Sequence, residues 1–483
     1  LPLPVAFGRE ENMRWNPADD RFAETIHAQL GSDVLRPIAE RYLEEPRGRF
    51  VGQPGLLALP RTVDEVSALV RMAAEAGVPV VPYGGGTGLV GGQVVPDGPT
   101  PLIISLERMT AIRAVYPTEN ILIAEAGAIL ADVQAAADDA DRLFPLALAA
   151  QGSCRIGGNL ATNAGGVNVL RYGNARDLCL GLEVVLPSGE IWHGLSRLRK
   201  DNTGYDLRNL LIGSEGTLGI ITAAALKLFP RPNSVGTAMF QVASPEAAID
   251  LLSLSRDQVG EGISSFELIH RQGLDFLSET LPEVRQPFAS PAEWNVLVEL
   301  GLSAGQNPSD MLEAIFVAAE ERGLVSDAVI AQSEAQRSEL WAVRERIPEA
   351  NRLIGSVSSH DISVPISRIP EFIRRAADVV AGQGPFRVNC FGHLGDGNLH
   401  YNVFPPGGKD KADFVEQRGA VKRAVHDLVN EFGGSVSAEH GIGRLKTEDL
   451  ERYSDPVRLQ VMRDIKAALD PHGIMNPGVV LAR

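Results

Sequence analysis

The chain has 483 residues, of which 44% are hydrophobic, 22% charged and only 6% aromatic. About three domains of roughly 150 residues, or two with one of them large, are expected, and such a length buries a core without help from disulfides or a metal. With 45 basic against 61 acidic residues the net charge is −16, a field that repels phosphate and excludes a general nucleic-acid or anionic-membrane binder. Cys154, Cys179 and Cys390 are odd in number and far apart, which argues against a disulfide framework and for a reducing compartment. No run approaches the roughly 18 apolar residues of a membrane helix, so no transmembrane segment is expected. Leu1-Pro2-Leu3-Pro4-Val5 shows no basic region ahead of an apolar run, so no signal peptide is visible, and Met13 is a candidate native start. The expectation is a soluble, multidomain protein, cytoplasmic or of the matrix.

Residues 1–52 are expected to form an N-terminal helical segment. Beyond Pro60, Thr62-Val63-Asp64-Glu65 reads as a capping box, and Val66, Leu69, Val70 and Ala73 recur at helical spacing up to Gly77. Residues 78–82, 102–106 and 121–124 read as strands, and 182–191 as a hairpin turning at Ser188-Gly189. After Pro230-Arg231-Pro232 the texture changes to longer helical patterns, at 245–256, 310–322 and 412–432, between isolated strands. A helix is expected around 340–347 and a strand over 399–404. The pattern is α+β rather than regular alternation, with units over 53–230, 231–435 and 436–483.

The 49 glycines concentrate in 84–92, 152–166, 213–219, 392–397 and 433–443, where the backbone is expected to approach something closely. Gly86-Thr87-Gly88-Leu89-Val90-Gly91 fits G-x-G-x-x-G after a strand, but a Rossmann motif must open a helix. The continuation to Pro99, with two prolines, has no helical spacing. A nest of backbone N–H groups around a phosphate fits these residues better than a mere turn. The runs 152–166 and 213–221 are likewise rich in small residues. Three such loops point to one extended ligand lined by main chain, without identifying it.

Val81 to Gly88, the 152–166 run, 213–221, Phe391 to Asn402, Ala438 to Gly443 and Asn476-Pro477-Gly478 together resemble the vanillyl-alcohol-oxidase type of FAD-binding fold. The branch they resemble is that of the D-2-hydroxy-acid dehydrogenases, meaning D-2-hydroxyglutarate and D-lactate dehydrogenases. The resemblance spans nearly the whole chain past residue 50. It implies a two-subdomain FAD-binding domain over 53–230, an α+β substrate (cap) domain over 231–435 and a C-terminal segment, 436–483, packing back on the FAD site. It implies that Pro82, Tyr83, Gly84, Gly85, Gly86, Thr87, Gly88 and Leu89, with Gly152, Ser153, Gly157, Gly158, Asn159, Thr162, Asn163, Gly165 and Gly166, hold the FAD pyrophosphate and flank the isoalloxazine. Glu215, Gly216, Gly219 and Ile220 would lie along the adenosine half, and Asn476 would return near the ring. No histidine stands in or beside the first glycine run, so non-covalent FAD is expected. An electron-transfer flavoprotein or a quinone is the expected acceptor, and a homodimer is common in the family.

His393 and His400 lie seven apart among glycines that make a helix improbable, so a loop running into the 399–404 strand is expected. Glu439 and His440 follow in Ser437–Gly443. Two imidazoles and a carboxylate suit Zn²⁺ with a position left for substrate, but neither spacing is a standard zinc pattern, and on the residues alone structural histidines are the alternative. The resemblance implies His393, His400 and Glu439 as ligands, of Zn²⁺ or of Mn²⁺ or Co²⁺, and His440 as the base. A 2-hydroxy acid chelating such an ion has its hydroxyl acidified, a histidine takes the proton, and the C2 hydrogen leaves as hydride to flavin N5. Arg344 matches the family's substrate-carboxylate arginine, and Asn402 is expected to steady the substrate.

The pattern departs from the 2-hydroxyglutarate enzymes at two places. Where they carry a threonine four residues after this arginine, and a lysine before the strand "D-x-S-x-P", this chain has Pro348 and Ser359. Losing a cation removes a charge-assisted bond of about 1.5–3 kcal/mol, which a protonated His360 would replace. The expected substrate is a D-2-hydroxy acid other than 2-hydroxyglutarate, or that acid bound weakly. The alternatives are a D-2-hydroxyglutarate dehydrogenase proper, a flavin oxidase using O₂, or a non-catalytic flavin subunit, which should lack the histidine set. A zinc hydrolase would leave the glycine runs unexplained.

Overall fold

The computed structural model describes residues 15–482; Met13 and Leu1–Val5 lie outside the described residues. Three sheets carry the chain. A small one holds Leu35–Arg36, Leu56–Ala58, Leu102–Ser105 and Val80–Tyr83 in that order, parallel but for its first strand. A five-stranded antiparallel sheet follows in the order Ile112–Tyr116, Ile121–Glu125, Ile220–Lys227, Cys179–Val185, Ile191–Gly194. The third is a seven-stranded antiparallel sheet, in the order Val325–Ile330, Ser234–Val242, Trp294–Leu302, Ile263–His270, Arg387–His393, Asn398–Phe404, Ser358–Ser363.

The first two sheets share one core, built from residues 18–228 and closed by Ile474 and Met475 from the far end of the chain. Helix Val63–Ala76 shows how sequence sets its place. Thr62 Oγ1 accepts from Glu65 N, Gly77 stops the helix with φ 65°, and Val66, Leu69, Val70 and Ala73 are its buried stripe. The third sheet is covered on both faces. Helices Pro245–Val259, Pro308–Glu321, Ile369–Ala381 and Arg418–Glu431 cover one face, and Arg271–Thr280 with Glu334–Ile354 cover the other.

Three expectations change. The N-terminal stretch holds one α-helix, Asp20–Leu30, and a 3₁₀ turn, Glu40–Tyr42, and between them runs extended at Leu35–Arg36, where the residue before Pro37 is disfavoured in the helical region. The 412–432 pattern splits into a 3₁₀ turn, Lys411–Phe414, capped by Asp410, and helix Arg418–Glu431. His393 ends a strand rather than sitting in a loop, since Phe391 pairs with both Ile269 and His400 and holds that stretch in the sheet.

The glycine runs meet at backbone distance. A Cβ on Gly85 would stand 2.4 Å from Ser153 O, and one on Gly84 3.3 Å from Gly158 Cα. Gly85→Ala therefore has to move main chain rather than a side chain. A loss of about 1–3 kcal/mol is expected in chemical denaturation, together with a lower flavin-to-protein absorbance ratio after purification.

Candidate active site

Register in the third sheet brings four ionisable residues to one face. His393 lies directly opposite Glu267, and His400 directly opposite Asp361. Phe391, two residues before His393, is paired with His400. Side chains alternate along a strand, so Glu267, Phe391, His393, His400 and Asp361 all face the helix pair Arg271–Thr280 and Glu334–Ile354. The 3₁₀ turn Leu394–Asp396, with Gly397 at φ 89°, reverses the chain between the two histidines.

Glu439 and His440 arrive from the irregular segment after Ser435. Asp361 Oδ2 accepts both their backbone N–H groups at 3.0 Å and lies 3.3 Å from His440 Nδ1. Glu439 Oε1 stands 3.5 Å from His393 Nε2. The ligating atoms of His393, His400 and Glu439 lie within 4.8 Å of one another, a spacing and donor set that fit one divalent cation. His440 is stacked near-parallel to His400, with centroids 6.3 Å apart.

Burial alone would discharge these groups; their partners decide otherwise. Burial raises Glu267, but the charges of His393 and Arg344 outweigh it and hold the carboxyl down at about 2. Burial lowers His393, yet Glu267 on Nδ1 and Glu439 beyond hold it up at about 9. His400 has only Asp361, 3.9 Å away, to offset burial, and falls to about 3. Asp361 is carried far below the carboxylate range, because the charges of His440, Lys446 and His400 overcome its burial. His440 is lowered by burial, Asp361 only partly restoring it, and so presents a neutral ring.

Arg344 is buried. Its Nε donates to Glu267 Oε2 at 2.7 Å and its guanidinium lies 4.8 Å from the Phe391 ring. Among the described residues its terminal nitrogens have no hydrogen-bond partner. Asn402 Oδ1 accepts from His360 N at 3.2 Å. His360 itself corrects the sequence expectation: one residue out of phase with Asp361, it points through the other face of the sheet against His426, with ring centroids 5.0 Å apart. Burial, then the charge on His426, push it well below the usual imidazole range, so it supplies no cation to substrate. Ser359 is exposed and bonded to Ser356. Glu267 and Asp361 escaped the sequence reading. A lone acid flanked by Phe266, Leu268 and Ile269, and the aspartate of the D-x-S-x-P motif, were the available signals.

The glycine runs lie beside this centre. Gly166 N donates to Glu439 Oε1 at 2.7 Å, and a Cβ on Gly165 would stand 2.7 Å from the same oxygen. Glu215 accepts from Ile442 N and Gly443 N at 2.7 and 2.8 Å, and Asn476 Nδ2 donates to Gly92 O and Glu215 O. Several side chains expected at a cofactor also make contacts within the protein. Tyr83 Oη donates to Arg41 O, Asn159 reaches Cys154, Thr162 donates to Gly158 O, Asn163 accepts from Arg176 N, and Ile220 is buried in a strand. What Gly84–Gly88, Gly157, Gly158 and Gly166 offer is half-exposed backbone. Asn476 Oδ1 is buried without a partner, an acceptor that a ligand N–H would satisfy. Both features fit an extended flat cofactor such as FAD.

A two-part glycine-walled unit with a cap of this topology is the flavin-binding fold of vanillyl-alcohol-oxidase type. The structure superposes on substrate-bound p-cresol methylhydroxylase with a TM-score of 0.74 over 96% of both chains at 15% identity. It superposes on 4-ethylphenol oxidase of Gulosibacter chungangensis with a TM-score of 0.70 over 96% of this chain and 98% of that one, at 17% identity. Residues 54–194 match the FAD binding domain model, and residues 231–480 match the model for FAD linked oxidases, C-terminal domain. The chain is 39% identical to D-2-hydroxyglutarate dehydrogenase of Xanthomonas citri, over 91% of this chain and 92% of that protein. It is 37% identical to the mitochondrial D-2-hydroxyglutarate dehydrogenase of Arabidopsis thaliana, over 90% and 76%. The chain belongs to the FAD-linked oxidase family, and is an FAD-dependent oxidoreductase. Among the described residues no helix is long and apolar enough to cross a membrane.

Asp361 holds His440 at ring and backbone together. Asp361→Asn is expected to lower kcat by about 10²-fold or more, the scale of a positioned acid–base group, with flavin content unchanged. Flavin reduction by a D-2-hydroxy acid in stopped flow measures it.

Proposed function

We propose that the protein oxidises a D-2-hydroxy acid to the 2-oxo acid at this centre, with non-covalent FAD against the glycine runs and a divalent cation, Zn²⁺ by its donor set, on His393, His400 and Glu439. The observation that carries the reading is the convergence of those three ligating atoms within 4.8 Å beside a neutral His440 and an arginine with unspent nitrogens. Bound there, FAD would supply a two-electron acceptor for the C2 hydride, and the cation would supply the Lewis acidity that lowers the hydroxyl pKa. The chain's own residues do the rest. Arg344 binds a substrate carboxylate through its free fork, Asn402 orients the substrate, and His440, steadied by Asp361, takes the hydroxyl proton.

The cation missing at Ser359, and His360 facing away, favour a D-2-hydroxy acid other than 2-hydroxyglutarate, or that acid held weakly. A second reading, D-2-hydroxyglutarate itself, is favoured by the relatives' names. It is also favoured by Arg47, an exposed arginine whose charge reaches Asp361 and His440. An electron-transfer flavoprotein or quinone would reoxidise the flavin.

The test is a panel of D- and L-2-hydroxy acids with dye reduction, before and after chelation. D-acids are expected to reduce the dye, L-acids not, and chelation to take the rate to background, with metal restoring it. Comparable or better kcat/KM for D-2-hydroxyglutarate than for D-lactate selects the second reading. Activity confined to L-acids, or indifferent to chelation, removes the proposal.

A further inference from the structure

We infer that Glu267 is a positioning residue that ties the cation ligand His393 to the substrate-binding Arg344, so that metal affinity and carboxylate affinity are set by one side chain. The inference rests on the function proposed above. Glu267 is buried to 0% exposure between Phe266 and Leu268. Its two oxygens are divided: Oε1 is 2.6 Å from His393 Nδ1, and Oε2 is 2.7 Å from Arg344 Nε.

A salt bridge serving only to pin helix Glu334–Ile354 to the sheet would engage the arginine's terminal nitrogens, where bidentate pairing is strongest. Here the carboxylate takes the inner atom of each partner. Accepting the Nδ1 proton fixes the His393 tautomer and aims Nε2 at Glu439, the arrangement that orients histidine ligands of metals. Accepting from Nε turns the arginine fork outward with its terminal nitrogens unspent. Because the carboxylate is rigid, the two orientations are not independent.

Glu267→Gln is nearly isosteric but has one acceptor oxygen, so its amide nitrogen must face a donor on one side. The test measures Zn²⁺ affinity of the flavin-loaded protein by chelator competition, and KM and kcat for a D-2-hydroxy acid at saturating Zn²⁺. Flavin content and melting temperature serve as folding controls. The metal Kd is expected to weaken about 10–100-fold, and KM to rise at least tenfold even when metal is saturating. Arg344→Lys should raise KM while leaving metal Kd within about threefold. Glu267→Asp, which keeps the charge but withdraws it, should shift both quantities in the same direction by less, and serves if the glutamine variant does not fold. A folded Glu267→Gln protein, or failing that a Glu267→Asp protein, with metal Kd and KM within twofold of the parent overturns the inference alone. A parent that takes up no divalent ion overturns the reading of the centre itself.

Discussion

Charges taken out of water have to be answered within hydrogen-bond reach, and the seven-stranded sheet answers them in pairs across its ladder. Glu267 faces His393, and Asp361 faces His400 while also gathering His440 and the backbone of Glu439. Neither carboxylate belongs to the His393, His400 and Glu439 group, although Asp361 forms a second acidic cluster with Glu439 and His440; Glu267 lies on Nδ1 of His393 and Asp361 on Nδ1 of His440. The ladder register is a matter of main-chain hydrogen bonds and hydrophobic alternation, so the core's packing is also what aims the site. A one-residue slip of strand Ser358–Ser363 would bury Asp361 against Arg418–Glu431 and turn His360 towards the substrate.

The same logic ties the cap to the flavin-binding part. Glu439 is at once a neighbour of His393 and the acceptor for Gly166 N, so the second glycine run is joined to the histidine cluster by one carboxylate. Glu215 does the corresponding work at the other end, holding Ile442 N and Gly443 N from within a fully buried setting. Burial pushes it up to about 7 against the pull of those two donors. Asn476 then bridges the first and third glycine runs. These contacts explain why glycine dominates: Gly165 has Glu439 where a Cβ would go.

Much of this was legible in the sequence because it is written locally. The capped helix at 63–76, the hairpin at Ser188-Gly189 and the dismissal of a Rossmann helix after Gly91 depend on neighbours a few residues apart, and the structure has all three. The grouping of His393, His400 and Glu439 came from resemblance to a family, since no spacing rule joins residues 39 apart in chain across a sheet and a loop. His360 was misplaced for a definite reason: adjacency to Asp361 in sequence puts it on the opposite face of the strand. Glu267 was missed because an acid between apolar neighbours announces a partner without saying which, and its partners lie on elements 77 and 126 residues away.

The charge state of the centre argues for what it is built to receive. Glu267 and Asp361 are ionised at any working pH, Arg344 is a cation, and His400 is already neutral with a lone pair to give. His393 is the exception: burial lowers it, but Glu267 on Nδ1 and Glu439 3.5 Å from Nε2 hold it up at about 9. A divalent cation held by His393, His400 and Glu439 would replace the single proton so retained with two charges, releasing it as metal binding does. A cluster arranged only for its own stability would have spent the Arg344 fork on Glu267. That fork is left open beside a group able to take a cation, and this is what favours, in the reading proposed above, an α-hydroxycarboxylate, with an ionised carboxylate and an acidifiable hydroxyl on neighbouring carbons.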